Sequence, residues 1–157
     1  MRAWLIAGAC LVVGLAGGRG GACSADAVAA IEKLDGKVFR DPKIKGKPVV
    51  VVRLDSKKVT DKDLAHLKEF GHLRELYLGD AKVTDKGLAH LKGLAKLHTL
   101  FMQYTAVTDA GLPHLKVLSK LRRLWLSGTK VTDAGLAHLK GLTQLEELYL
   151  PSTKVTD

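Results

Sequence analysis

The chain has 157 residues and carries 25 Lys and Arg against 16 Asp and Glu, a net charge of +9. That length sets one modest domain, and the positive surplus favours anionic partners or surfaces without bearing on fold. Both cysteines, Cys10 and Cys23, fall within residues 1–24, which excludes a disulfide framework, a cysteine zinc site and thiol catalysis from the remainder.

Residues 1–24 read as an export signal. Arg2 gives a short basic start, residues 3–15 form an apolar run too short to span a bilayer, and a small-residue stretch follows. Ala22 and Ser24 occupy the minus-three and minus-one places for cleavage before Ala25. The expectation is an exported protein (periplasmic, cell-surface or secreted). Membrane contact follows only if the leader is retained or is lipidated at Cys23.

Residues 25–58 read as an amino-terminal cap. Asp26 opens a helix through Leu34, with Ala27, Val28, Ile31 and Leu34 on one face and Gly36 as its stop. Val38 and Phe39 suggest a short strand, and residues 41–48 form a basic turn region. In residues 49–54, Val49, Val52 and Leu54 repeat the apolar spacing of the strands that follow.

Residues 59–157 are four copies of a 24-residue unit and the start of a fifth, each opening Val-Thr-Asp at Val59, Val83, Val107, Val131 and Val155. A fixed period of this kind means one supersecondary unit stacked on itself. With Val59 as position 1, leucine or an equivalent recurs at positions 6, 9, 12, 15, 18 and 20, as in Leu88, Leu91, Leu94, Leu97, Leu100 and Met102. Spacing by three is helical and spacing by two is a strand. Each unit is therefore a short helix, a turn and a short strand. The Thr-Asp pair is expected to cap the helix that it opens, and Pro113 falls in a first turn, where a missing N–H costs least.

The strand segments, such as Leu121-x-x-Leu124-x-Leu126, resemble the leucine-rich repeat signature L-x-x-L-x-L-x-x-N/C-x-L. The Val-Thr-Asp-x-Gly-Leu-x-x-Leu half resembles the short-helix, cysteine-containing subclass and the exported bacterial proteins built from it. The resemblance implies an α/β solenoid with a curved parallel sheet on the concave side and short helices on the convex side. It further implies a non-enzymatic protein-binding module without a cofactor. The asparagine or cysteine position holds Thr105, Thr129 and Thr153 but Ala81 in the first unit, so a looser loop is expected there.

Positions 17, 19 and 21 should face outward from the sheet. Position 19 holds Tyr77, Phe101, Trp125 and Tyr149, four of the chain's eight aromatics. With Glu75, Arg123 and Glu147 at position 17 and Gln103 at position 21, they form the candidate protein-binding surface: aromatic anchors with mixed charge. The competing explanation is that the rings stack and stiffen the sheet. Position 8 is His66, His90, His114 and His138, but packed helices lie about 8–10 Å apart and zinc needs nitrogens at about 2.1 Å, so no metal site is expected. Position 10 is Lys68, Lys92, Lys116 and Lys140, read as a solvated convex face. No catalytic constellation emerges. Two other readings stay open: a structural or self-associating repeat protein, in which oligomerisation or further repeats cover the uncapped leucines of the last unit, and a basic surface for anionic polymers or membrane. Export argues against a nucleic-acid partner.

Overall fold

The structure is a computed structural model and describes residues 25–156. The export signal expected over residues 1–24 lies outside the described residues, as does Asp157.

Helix α1 (Ala25–Lys33) buries Ala27 and Ile31. Its stop is not Gly36 but Asp35, which takes the left-handed conformation (φ 63°) while the Gly36 amide donates to the Ile31 carbonyl at 3.0 Å. Gly36 is required for space instead: a Cβ there would stand 2.7 Å from Ile31 Cγ2 and 2.8 Å from Leu54 Cδ2.

Strand β1 (Lys37–Arg40) pairs antiparallel with β2 (Val49–Arg53). Four strands then add in parallel and in sequence order: β3 (Glu75–Tyr77), β4 (Thr99–Phe101), β5 (Arg123–Trp125) and β6 (Glu147–Tyr149). The helical returns are Asp63–Glu69, Asp85–Leu88 running into Ala89–Gly93, Leu112–Val117, and Asp133–Leu136 running into Ala137–Gly141. They are mostly 3-10 in form. Leucines spaced by three explain this, because a 3-10 helix has three residues per turn and lines them up on one edge. Helix α1 packs on the first of these segments, so it closes the first layer where the sequence shows no repeat helix.

The core lies between sheet and helices. Leu76, Leu100 and Leu124 at the strand centres, and Leu91 and Leu115 on the helical side, are all 0% exposed. In the last layer Leu139 and Leu142 are buried, whereas Leu148 is 39% exposed.

The aspartates do not cap their own helices, as the sequence suggested. Each instead reaches into the next unit. The Asp61 carboxylate accepts from the Thr84 amide at 2.7 Å and the Thr84 hydroxyl at 2.6 Å. Asp85 does the same for Thr108, Asp109 for Thr132, and Asp133 for Thr156. Two of the threonines do act as caps: Thr84 Oγ1 accepts from the Lys86 amide and Thr108 Oγ1 from the Ala110 amide, both at 3.3 Å, whereas Thr132 makes no such bond. The first unit has no aspartate before it, and there Asp63 takes both bonds from Thr60, at 2.8 and 2.7 Å. Asp63 stands at the position that is Gly87, Gly111 and Gly135 in later units. The exchange is spatial, since a Cβ at Gly87 would run into the Asp61 carboxylate.

Thr132 holds the Asp109 carboxyl below its ordinary range, first through its hydroxyl and then its amide. Thr156 does the same for Asp133. A carboxyl depressed in the folded state stabilises fully above the unfolded aspartate value, near pH 3.9. That contribution is lost as pH falls through the lower folded value. The difference in urea midpoint between the parent and Asp109→Asn should therefore stay level down to about pH 4 and shrink below it, so that the acid fall is shallower in Asp109→Asn. An acid slope unchanged by Asp109→Asn would contradict this.

The loop at Ala81 is no looser in its backbone than its counterparts. The Ala81 amide donates to the Leu78 carbonyl at 3.2 Å, as Thr153 does to Leu150 at the same distance. Only the hydroxyl bonds are missing; Thr105, Thr129 and Thr153 make them to the carbonyls of Met102, Leu126 and Leu150. Ala81 is buried, as Thr105 and Thr129 are.

Candidate functional site: the concave face

The strands place position 18 in the core and positions 17 and 19 on the opposite side. The pairing register puts Tyr77 beside Phe101, Phe101 beside Trp125, and Trp125 beside Tyr149. Their ring centroids are 4.6, 4.7 and 4.9 Å apart, the first pair stacked at 7° and the others tilted by 53° and 42°. The Arg53 guanidinium continues the ladder at 4.8 Å over the Tyr77 ring. Tyr77, Phe101 and Trp125 are half-buried by their neighbours, and Tyr149 at the end is 50% exposed. The rings thus do both things the sequence allowed. They stack, which contributes about 0.5–1.5 kcal/mol per pair, and they leave a continuous apolar stripe facing solvent.

The polar side chains are ordered around this stripe. Tyr77 donates its hydroxyl to Glu75 at 2.8 Å, and its pKa is raised by burial first and by that bond second. Arg123 Nε donates to Thr99 Oγ1 at 3.1 Å. Arg53 pairs with Asp55 at 3.3 Å, and Asp55 also accepts from the Gly79 amide at 3.0 Å. Glu147 is exposed in the same row as Glu75 and Arg123, and Gln103 is half-buried beyond Phe101. Seven of the eight residues selected from the sequence therefore stand in two adjacent rows of one face, and Gln103 lies two residues past the end of β4. At the centre of that face, Trp125 Nε1 and Ser127 Oγ are buried without a hydrogen-bond partner among the described residues.

The histidine column lies on the helical side, with His66 and His90 exposed and His114 and His138 half-buried. Lys68, Lys92, Lys116 and Lys140 are exposed there as well.

Two features escaped the strict alternation used on the sequence. Position 22 is left-handed in every unit, at Asp80, Tyr104, Gly128 and Ser152 (φ 57°, 54°, 66° and 59°). Tyr104 is 63% exposed, and its ring packs on Gly128, where a Cβ would lie 2.5 Å from Tyr104 Cδ1. Position 16 also points outward, because each strand is only three residues long and the chain before it turns. Arg74, His98 and Arg122 stand there. The signal was visible as a second basic column beside the aromatic one.

A leucine-rich repeat family model matches residues 72–91. Among solved structures, an internalin (inlF) from Listeria monocytogenes is 23% identical, with 59% of this chain and 33% of that chain covered and a TM-score of 0.42. The ectodomain of the plant membrane receptor kinase GASSHO1/SCHENGEN3 from Arabidopsis thaliana, solved with Casparian strip integrity factor 2, is 16% identical. There 75% of this chain and 17% of that chain are covered, at a TM-score of 0.49. Leiomodin-1 actin-binding site 2 is 14% identical, with 80% and 77% covered and a TM-score of 0.52. This chain spans a third or less of the length of the internalin and the plant receptor. No curated protein matches it. The fold is a leucine-rich repeat solenoid, with its parallel sheet on one side and short helices on the other, and the family match falls within its repeats.

Proposed function

We propose that this solenoid is a non-enzymatic module that binds a protein ligand on its concave face. Leucine-rich repeat proteins are typically protein-interaction modules. The observation that carries the reading here is the four-ring ladder, continuous at 4.6–4.9 Å, open to solvent along one edge and bordered by both signs of charge. Half-exposed aromatics beside arginines are the composition of interface anchors. Tyr77, Phe101, Trp125 and Tyr149 supply the contact area, while Glu75, Arg123, Glu147 and Gln103 select the partner. The reading includes export, which rests on residues 1–24, and the short-helix subclass of exported bacterial repeat proteins, which rests on the Val-Thr-Asp-x-Gly-Leu-x-x-Leu half of the repeat.

Self-association is the second reading, favoured by the exposure of Leu148 and Tyr149 at the last strand. It predicts a dimer whose dissociation follows Leu148→Lys.

The test is the double variant Phe101→Ser with Trp125→Ser, immobilised beside the parent and exposed to extracellular proteins of the source organism. Capture should be lost while far-UV circular dichroism keeps the parent shape, because both rings stand outside the leucine core. Capture at the parent level would overturn the reading.

A further inference from the structure

The edge of the sheet where β3, β4 and β5 begin carries an arginine in the first and third units, with His98 between them. Arg74, His98 and Arg122 hold the same position in each, and the backbone fixes them rung by rung. The His98 amide donates to the Arg74 carbonyl and the Arg122 amide to the His98 carbonyl, both at 2.8 Å. Lys96 and Lys120 stand two residues earlier, and Arg123 one residue after Arg122, tied by Nε to Thr99 Oγ1 at 3.1 Å. His98 is held toward its neutral form first by burial and then by Arg122, Arg74, Lys120 and Arg123, so the positive charge of the rim is that of its arginines and lysines.

Two acids touch this rim. Asp41 lies 3.5 Å from Arg74 and Glu146 lies 3.5 Å from Arg122. The Arg122–Glu146 pair is more than half exposed on both sides, so it neutralises the rim only weakly. A depression lined by His98, Arg122, Arg123, Glu146 and Glu147 opens where β4, β5 and β6 begin.

We propose that this basic rim seats a short acidic stretch of the protein partner, alongside the aromatic ladder. The proposal rests on the concave-face reading and names the chemistry of its ligand. Size supports a short motif: three rungs at about 4.8 Å span roughly 10 Å, the length of about three extended residues. Charge favours a peptide over a uniform polyanion. The strip ends at Glu146 and Glu147, which would repel a chain that continued negative along the sheet axis, whereas a peptide can change sign there.

The probes are fluorescein-labelled hexaglutamate, hexaglutamine and heparin, read by anisotropy against the 157-residue chain. Hexaglutamate should bind and hexaglutamine should not, with affinity falling as salt rises from about 50 to 300 mM. Arg122→Ala with Arg123→Ala should weaken hexaglutamate about tenfold, a loss of charge-assisted bonds. The lysine pair Arg122→Lys with Arg123→Lys should recover most of that loss, and the convex pair Lys92→Ala with Lys116→Ala should change it less than about twofold. The proposal is overturned if hexaglutamate does not bind, if the arginine pair leaves its affinity unchanged, if the convex pair abolishes it, or if heparin binds more tightly through the same arginines. Loss of partner capture in Phe101→Ser with Trp125→Ser would still stand in each of those cases, so the concave-face reading fails or survives separately.

Discussion

Leu100→Ala is expected to destabilise the chain by about 2–5 kcal/mol, the range for emptying a well-packed leucine site. Leu100 is 0% exposed at the centre of β4 and is paired with Leu76 on one side and Leu124 on the other. In a solenoid each layer is held only by its neighbours, so a cavity at the middle layer weakens two interfaces at once. Leu148 occupies the same position in β6 but is 39% exposed, with a neighbour on only one side. Leu148→Ala should cost less, about 1–2 kcal/mol, since more than a third of its surface already meets water. Urea unfolding of the two variants checks both values. Equal costs would mean that the two layers are not as differently covered as the structure shows.

Gly111→Ala is expected to cost about 2–4 kcal/mol, although alanine is ordinarily the better helix residue. Its backbone is unstrained at φ −80°, so conformational freedom is not the reason. Space is. A Cβ at Gly111 would stand 2.5 Å from Asp85 Oδ1, 2.9 Å from Leu88 Cδ1 and 3.2 Å from the Asp85 Cα. The carboxylate cannot yield without breaking its two bonds to Thr108, at 2.8 and 2.7 Å. Hydrogen bonds to a charged group contribute about 1.5–3 kcal/mol. Two controls isolate the cause. Gly93→Ala, with nothing within 4 Å of its Cβ, should be neutral or slightly stabilising. Gly111→Ala combined with Asp85→Ala should cost less than the sum of the single changes, because the second removes the group that the first collides with.

The same example shows what the sequence could and could not disclose. The leucine columns, their switch from spacing by three to spacing by two, and the cap strand at Val49, Val52 and Leu54 were legible, because burial imposes a period on the residues themselves. The rows Glu75, Arg123, Glu147 and Tyr77, Phe101, Trp125, Tyr149 were legible for the same reason, since alternation in a strand sorts them by face. The partner of a repeated polar residue was not. Asp61, Asp85 and Asp109 sit where helix caps sit, and only the stacking of units shows that the bond runs to the next copy. Asp63 in place of a glycine was the visible clue, as it marks the one unit with no aspartate before it. Position 16 was missed because alternation fails where a three-residue strand meets a turn. The left-handed column at Asp80, Tyr104, Gly128 and Ser152 has no shared residue type, so nothing in composition marks it.

The central claim is that a protein ligand contacts the concave face, and crosslinking tests it most directly. A benzophenone amino acid placed at Gln103 would sit two residues past Phe101 at the end of β4, and one at Lys92 would sit on the helical side. On irradiation with extracellular proteins of the source organism, the chain carrying the label at Gln103 should form a discrete heavier adduct, and the chain labelled at Lys92 should not. An adduct from Lys92 with none from Gln103 would contradict the account.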